Sequence, residues 1–353
     1  MPAPDPTSLP DSLGPRKYGR LGLILPFAAL GLLIVAWSLV WIWAEAQVAK
    51  RMDAGAEAWK LAGYQVAWRQ RVIGGYPFRM DVTLTDVTGR TPGGWGLEAP
   101  RLEGEAYLFS LGHWLVAAPA GLTFVRPLGG PVAVKGGLIH ASLTHLQARP
   151  PSFSFEGAKL AFAPAPGAQP FALASADRVE FHLRAGPDDE GGVFASLDGG
   201  KAGHSGVLAE VAGGKPISMV WNSTLSKMSA FGGATWADAV RHWTAAGGRM
   251  TVRNAGITAG DASLGVTSGT LGAGSDGRLT GVLQVTLRQA PRGLTALSDK
   301  GVIEPGAAQS AATVVQARQG AGDAAQAAID FQAGRTTLGP VALGPAPKVY
   351  DPR

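Results

Sequence analysis

From Leu21 to Trp43 the chain reads LGLILPFAALGLLIVAWSLVWIW, with no charged side chain inside the run. A helix of that length extends about 34 Å at about 1.5 Å per residue, enough to cross a hydrocarbon core about 30 Å thick. Trp37, Trp41 and Trp43 gather at its second end, where amphipathic rings favour the water interface, and Arg20 marks the first. A cleaved signal peptide has a shorter apolar core of about 7–15 residues, so an uncleaved anchor fits better, although Ala44-Glu45-Ala46 has the form of a cleavage site. The polar pattern then shifts. Val48, Met52, Ala56 and Trp59 recur at helical spacing, which predicts an amphipathic connecting helix over 44–63.

Beyond Gly63 the apolar period falls to two. Phe78, Met80, Val82 and Leu84 alternate with Arg79, Asp81, Thr83 and Thr85, the pattern of an antiparallel strand with one buried face. Shorter runs of the same kind follow at Leu138–Leu146, Phe153–Phe162, Arg178–Leu183 and Ile217–Trp221, most of them bounded by Gly, Pro, Asp or Asn. The runs at 262–271 and 278–287 flank GAGSDG and predict a hairpin. Helical pattern is sparse after the anchor. Thr235 caps a candidate helix over 235–246, and Pro305 opens a second over 305–319.

The expected fold is therefore mainly β with few helices: a transmembrane helix, then a large antiparallel, twisted or curved sheet. Residues 1–20, rich in Pro and Ser, form a disordered tail, 21–43 the span, 44–63 the connecting helix, and 64–353 a β-rich domain of one sheet or two. The 50 glycines and 25 prolines agree with many short strands and turns. Arg16, Lys17 and Arg20 abut the span, whereas Lys50, Arg51 and Lys60 begin about two turns beyond it. The nearer cluster favours a cytoplasmic N-terminus and a periplasmic domain, with the chain single-pass in the inner membrane.

Net charge is +5, but the basic residues are scattered and form no stripe, so no nucleic-acid partner is expected. With no cysteine, disulfides, thiolate metal sites and a Cys nucleophile are excluded. Gly272 to Gly277 matches a dinucleotide fingerprint, yet the strand-like RLTGVLQVTL follows it where a helix would have to hold the pyrophosphate. The six histidines show neither HExxH nor an i, i+4 pair, and His140 and His145 fall on opposite faces of one strand. Asp188, Asp189 and Glu190 read as a solvated turn. The expectation is no enzyme, no cofactor and no metal.

Gly75 to Arg79 (GYPFR), Trp95 to Pro100 (WGLEAP), Ala118 to Leu122 (APAGL) and the ending from Gly334 to Tyr350 resemble the domain-of-unknown-function 2125 family of bacterial envelope proteins. That resemblance implies one N-terminal anchor and a periplasmic domain, and it carries no activity. The serial-strand plan is also similar to AsmA-like envelope proteins, in which a curved sheet offers an apolar groove to lipid. An apolar sheet face must be covered by a helix, a second sheet or a ligand. Here few helices are predicted, so Phe78, Met80, Val82 and Leu84 line either a sandwich interior or a lipid groove. The partners expected are the inner membrane, lipid and another envelope protein. An adaptor without ligand and an enzyme of unrecognised type stand as alternatives.

Overall fold

The computed structural model describes residues 21–146, 148, 150–233, 235–320 and 324–351. The tail over 1–20, Arg20 with it, lies outside the described residues. Two compact units divide the chain, Met1–Lys50 and Arg51–Arg353.

Helix α1 (Leu21–Leu61) is continuous through both segments that the sequence separates at residue 43. Its stretch Ile24–Leu61 is long and apolar enough to cross a membrane. Phe27, Leu30, Leu32, Leu33, Val35 and Leu39 are all exposed on it. The helix stops at a Schellman motif. Gly63 is left-handed at φ +84°, its N–H reaches Lys60 O at 2.9 Å, and Tyr64 N reaches Trp59 O at 2.9 Å. Trp59 and Tyr64 complete it with an edge-on ring contact at 5.0 Å.

The remaining chain builds one sheet, of eighteen strands among the described residues. Strands β1 (Gln65–Ala67) and β2 (Gln70–Gly74) lie end to end along β3 (Arg79–Arg90), which pairs with β4 (Gly96–Tyr107). Next, β5 (Trp114–Ala117) takes one end of β4 and β6 (Leu122–Arg126) the other. Beyond these, β7 (Gly130–Lys135) pairs with β6, β8 (Leu138–Thr144) pairs with β5, and both meet β9 (Ser152–Pro164).

From there every strand pairs with its successor. The series is β10 (Leu173–Ala185), β11 (Glu190–Ala202), β12 (Ile217–Ser226), β13 (Met250–Ala259) and β14 (Ala262–Ala273). It ends with β15 (Leu279–Arg288), β16 (Ala324–Gln332), β17 (Arg335–Leu338) and β18 (Val341–Pro345). All these pairings are antiparallel.

Four further helices sit in the connections: α2 (Val207–Ala212), α3 (Trp236–Ala245), α4 (Ala290–Asp299) and α5 (Pro305–Ala317). The sequence pattern predicts α3 and α5; α2 and α4 are additions. They pack on β11, β13, β14, β16 and β18, in the C-terminal half of the sheet. The main core lies there, with Val252, Val266 and Val285 from strands meeting Leu294 of α4 and Val315 of α5. The N-terminal half has a smaller core of Ala118, Val134, Ile139 and Leu160.

Candidate functional site

Strand pairing turns a sequence alternation into a two-dimensional surface, because register partners share a face. Beginning at β2, Ile73 pairs with Val82 and Val82 with Gly104. Val116, Ala141, Phe155 and Phe181 carry the same row across β5, β8, β9 and β10. Ala195, Trp221, Ala255, Val266, Val285 and Ala327 extend it to β16. The row contains no polar residue. A parallel row, Ile139, Gly157, Val179, Leu197, Met219, Ile257, Leu264 and Leu287, is equally apolar. On the other side run Leu143, Phe153, Leu183 and Val193, then Ser223. Ser223 is buried, and its hydroxyl accepts the Trp221 indole N–H at 2.9 Å. The exception is thus consumed within the face.

Burial changes along the first row. Its members are buried from β13 to β16, beneath the helices, and half-buried from β5 to β12. Phe153 and Phe181 meet there with ring centroids 6.0 Å apart. The middle of the face is therefore partly accessible to contact.

The reverse face has the opposite chemistry. Thr83, Glu103, Ala117, His140, Glu156, Glu180 and Ser196 occupy one of its rows. Arg178 bridges Glu156 at 2.7 Å and Glu180 at 2.8 Å, Ser196 Oγ donates to Glu180 at 3.1 Å, and His140 Nε2 lies 3.5 Å from Glu156. These carboxylates converge on a cation in a flat ladder, the ordinary solution for like charges on neighbouring strands.

The structure brings Met80, Val82 and Leu84 together on the apolar face, with Met80 and Val82 buried and Leu84 half-buried. Phe78 departs from them. The strand starts at Arg79, and Phe78 belongs to the preceding turn, where it is 61% exposed. The turn is set by Gly75, at φ +96°, and a cis Tyr76–Pro77 bond. A Cβ on Gly75 would come within 2.8 Å of Arg79 O, so the backbone admits only glycine here. Arg79 then reaches Glu105 and Asp81, each at 3.3 Å. Of the interface tryptophans, Trp37 and Trp41 are half-buried and Trp43 is 64% exposed on α1.

Candidate catalytic groups are dispersed. Among the described residues no three His, Asp or Glu side chains gather as metal ligands. His113 and His145 approach with rings 5.8 Å apart, and His113 lines a cleft of about 340 Å³ together with Arg79, Glu105 and Thr144. Gly274 to Gly277 of the GAGSDG segment lie in the turn of the β14–β15 hairpin that the flanking strands predict, and Gly272 and Ala273 end β14. Asp188 and Asp189 occupy the β10–β11 turn in left-handed conformation, and the Asp189 carboxylate accepts both the N–H and hydroxyl of Ser229.

The family described as "Uncharacterized protein conserved in bacteria (DUF2125)" matches residues 41–347. The chain belongs to this family. Its match takes in the connecting part of α1 and the sheet from β1 to β18, so the apolar face lies within the DUF2125 region. Comparison with curated proteins and with solved structures gives no match.

Proposed function

We propose that this DUF2125 protein is anchored in the inner membrane by α1, faces the periplasm, and holds or passes lipid along the apolar face of its sheet. The observation that carries this reading is the unbroken apolar row from Ile73 to Ala327, half-buried in the middle of the sheet. A closed core would bury those side chains, and a solvated sheet would carry polar residues on them. Acyl chains satisfy such a face without hydrogen bonds. Work of this kind needs shape and apolar area, not bond-making residues, so we assign no catalytic role.

The test uses a photocrosslinking residue placed singly at Phe155 or Phe181 on the apolar face, and at Ser154 or His182 on the reverse face of the same two strands. Irradiation in living cells should give lipid-mass adducts at the first pair and none at the second. Equal labelling of both pairs, or none, overturns the reading.

A second reading is favoured by one feature. Tyr76, Phe78, Tyr107 and Phe109 are all more than half exposed, and Leu108 N bonds Phe78 O at 2.9 Å, so the GYPFR turn carries an aromatic patch. Such a patch suits a protein partner of an envelope complex. A crosslinker at Phe109 that captures protein, with the sheet face blank, would shift the assignment to an adaptor.

A further inference from the structure

The apolar face leads into a half-open chamber. Helices α2 and α4 lie beside β13, β14 and β15 there, leaving a cavity of about 230 Å³ that opens to the surface. Ile257, Leu264 and Leu287 form its floor and belong to the second apolar row described above. Leu208 and Val211 of α2, with Leu294 and Leu297 of α4, line it from the helices. Ser263, Arg288 and Gln289 contribute the polar lining.

Gly293 sharpens the point. It lies inside α4 and lines the chamber, yet a Cβ built on it meets nothing within 4 Å. Glycine within a helix is unfavourable relative to alanine, and here no close approach of backbone requires it. The helix omits a side chain at a position where the fold has room for one. We infer that the chamber is the seat of a single acyl chain, whose polar end emerges by Ser263, Arg288 and Gln289. This rests on the lipid reading and gives it an address: the chain-binding terminus of the face, flanked by α2 and α4.

The test uses full-length protein in membranes, labelled with palmitate that bears a diazirine, and the modified peptides are read by mass spectrometry. Labelling is expected on α4 and on β13 to β15 around Leu264, Leu287 and Leu294. Gly293→Phe, which fills the chamber from α4, should lower that labelling by about tenfold or more, while labelling at Phe155 and Phe181 persists. Gly293→Ala should keep the label and raise the melting temperature. A melting temperature for Gly293→Phe at or above that of the parent shows that the loss is not unfolding. Label at Phe155 and Phe181 but not in the chamber overturns this inference and leaves the lipid reading standing, and so does chamber label that Gly293→Phe does not reduce. No label anywhere overturns both.

Discussion

At the scale of single residues, two positions show how the sheet keeps one face apolar. Trp221 brings the largest side chain to the first row, and its indole N–H is a donor that hydrocarbon cannot satisfy. Ser223, two residues along and on the same face, accepts it. Ser223→Ala would leave the donor without that bond in a site where Ser223 is 1% exposed. The expected cost is about 1–3 kcal/mol, measured by chemical unfolding of the purified chain. Ser223→Thr, which retains an acceptor, should recover part of it, and equal stability of all three would show that water already serves the indole. Phe78 teaches a different point. Its spacing matches Met80, Val82 and Leu84, but alternation predicts a face only within a strand, and the Gly75 turn delays the strand to Arg79. A positive φ at Gly75 is not visible in a period of two.

At the scale of elements, the helices differ in how far they could be read. Thr235 predicts the start of α3, and the structure has it as the cap, its hydroxyl accepting Asp238 N at 3.1 Å. α4 gave no such warning, because it opens after a left-handed Gln289 without a side-chain cap and contains both Pro291 and Gly293. α2, six residues between Gly206 and Gly213, is shorter than any reliable period. The helical side of the chamber was therefore hidden, although its floor was legible as strands. The caps can be tested. Thr235→Ala should destabilise the chain by about 1 kcal/mol in thermal unfolding. The Thr235 hydroxyl, and after it the Arg241 guanidinium, hold the Asp238 carboxyl below its ordinary value by hydrogen bonding. A carboxyl depressed in the fold stabilises fully above its unfolded pKa of about 3.9, and that contribution fades as pH falls through the folded value. Melting temperature should thus drop on acidification below about pH 4, and Asp238→Asn should weaken that dependence. An unchanged acid limb in the variant would remove Asp238 from the account.

At the scale of the whole molecule, the sequence conveys hairpins well and distant pairings poorly. From β9 onward each strand meets its successor, through tight turns at β10–β11, β13–β14, β14–β15, β16–β17 and β17–β18 and through helical connections at β11–β12, β12–β13 and β15–β16. By contrast, β4–β6, β5–β8 and β7–β9 join strands that other strands separate. Their register is chosen by the shared sheet, so no window of sequence displays it, and the continuous apolar rows emerge only once those pairings are known. The helix long and apolar enough to span a membrane is the opposite case, legible from a single uncharged run. Sidedness is where the two levels meet. α1 continues without a break to Leu61, so Lys50 and Arg51 ride on helix beyond the apolar run, while Arg16, Lys17 and Arg20 precede it directly. Charges closest to the span weigh most in setting sidedness, and on that rule the proposed orientation leaves the first cluster in the cytoplasm. An alkaline phosphatase fused after Leu61 should accordingly be active, and a fluorescent reporter that folds only in the cytoplasm should stay dark at the same point. The reverse pair of results would put the sheet in the cytoplasm, where it would meet a soluble pool of acyl chains. The fold would stand, but a role in carrying lipid across the envelope would not.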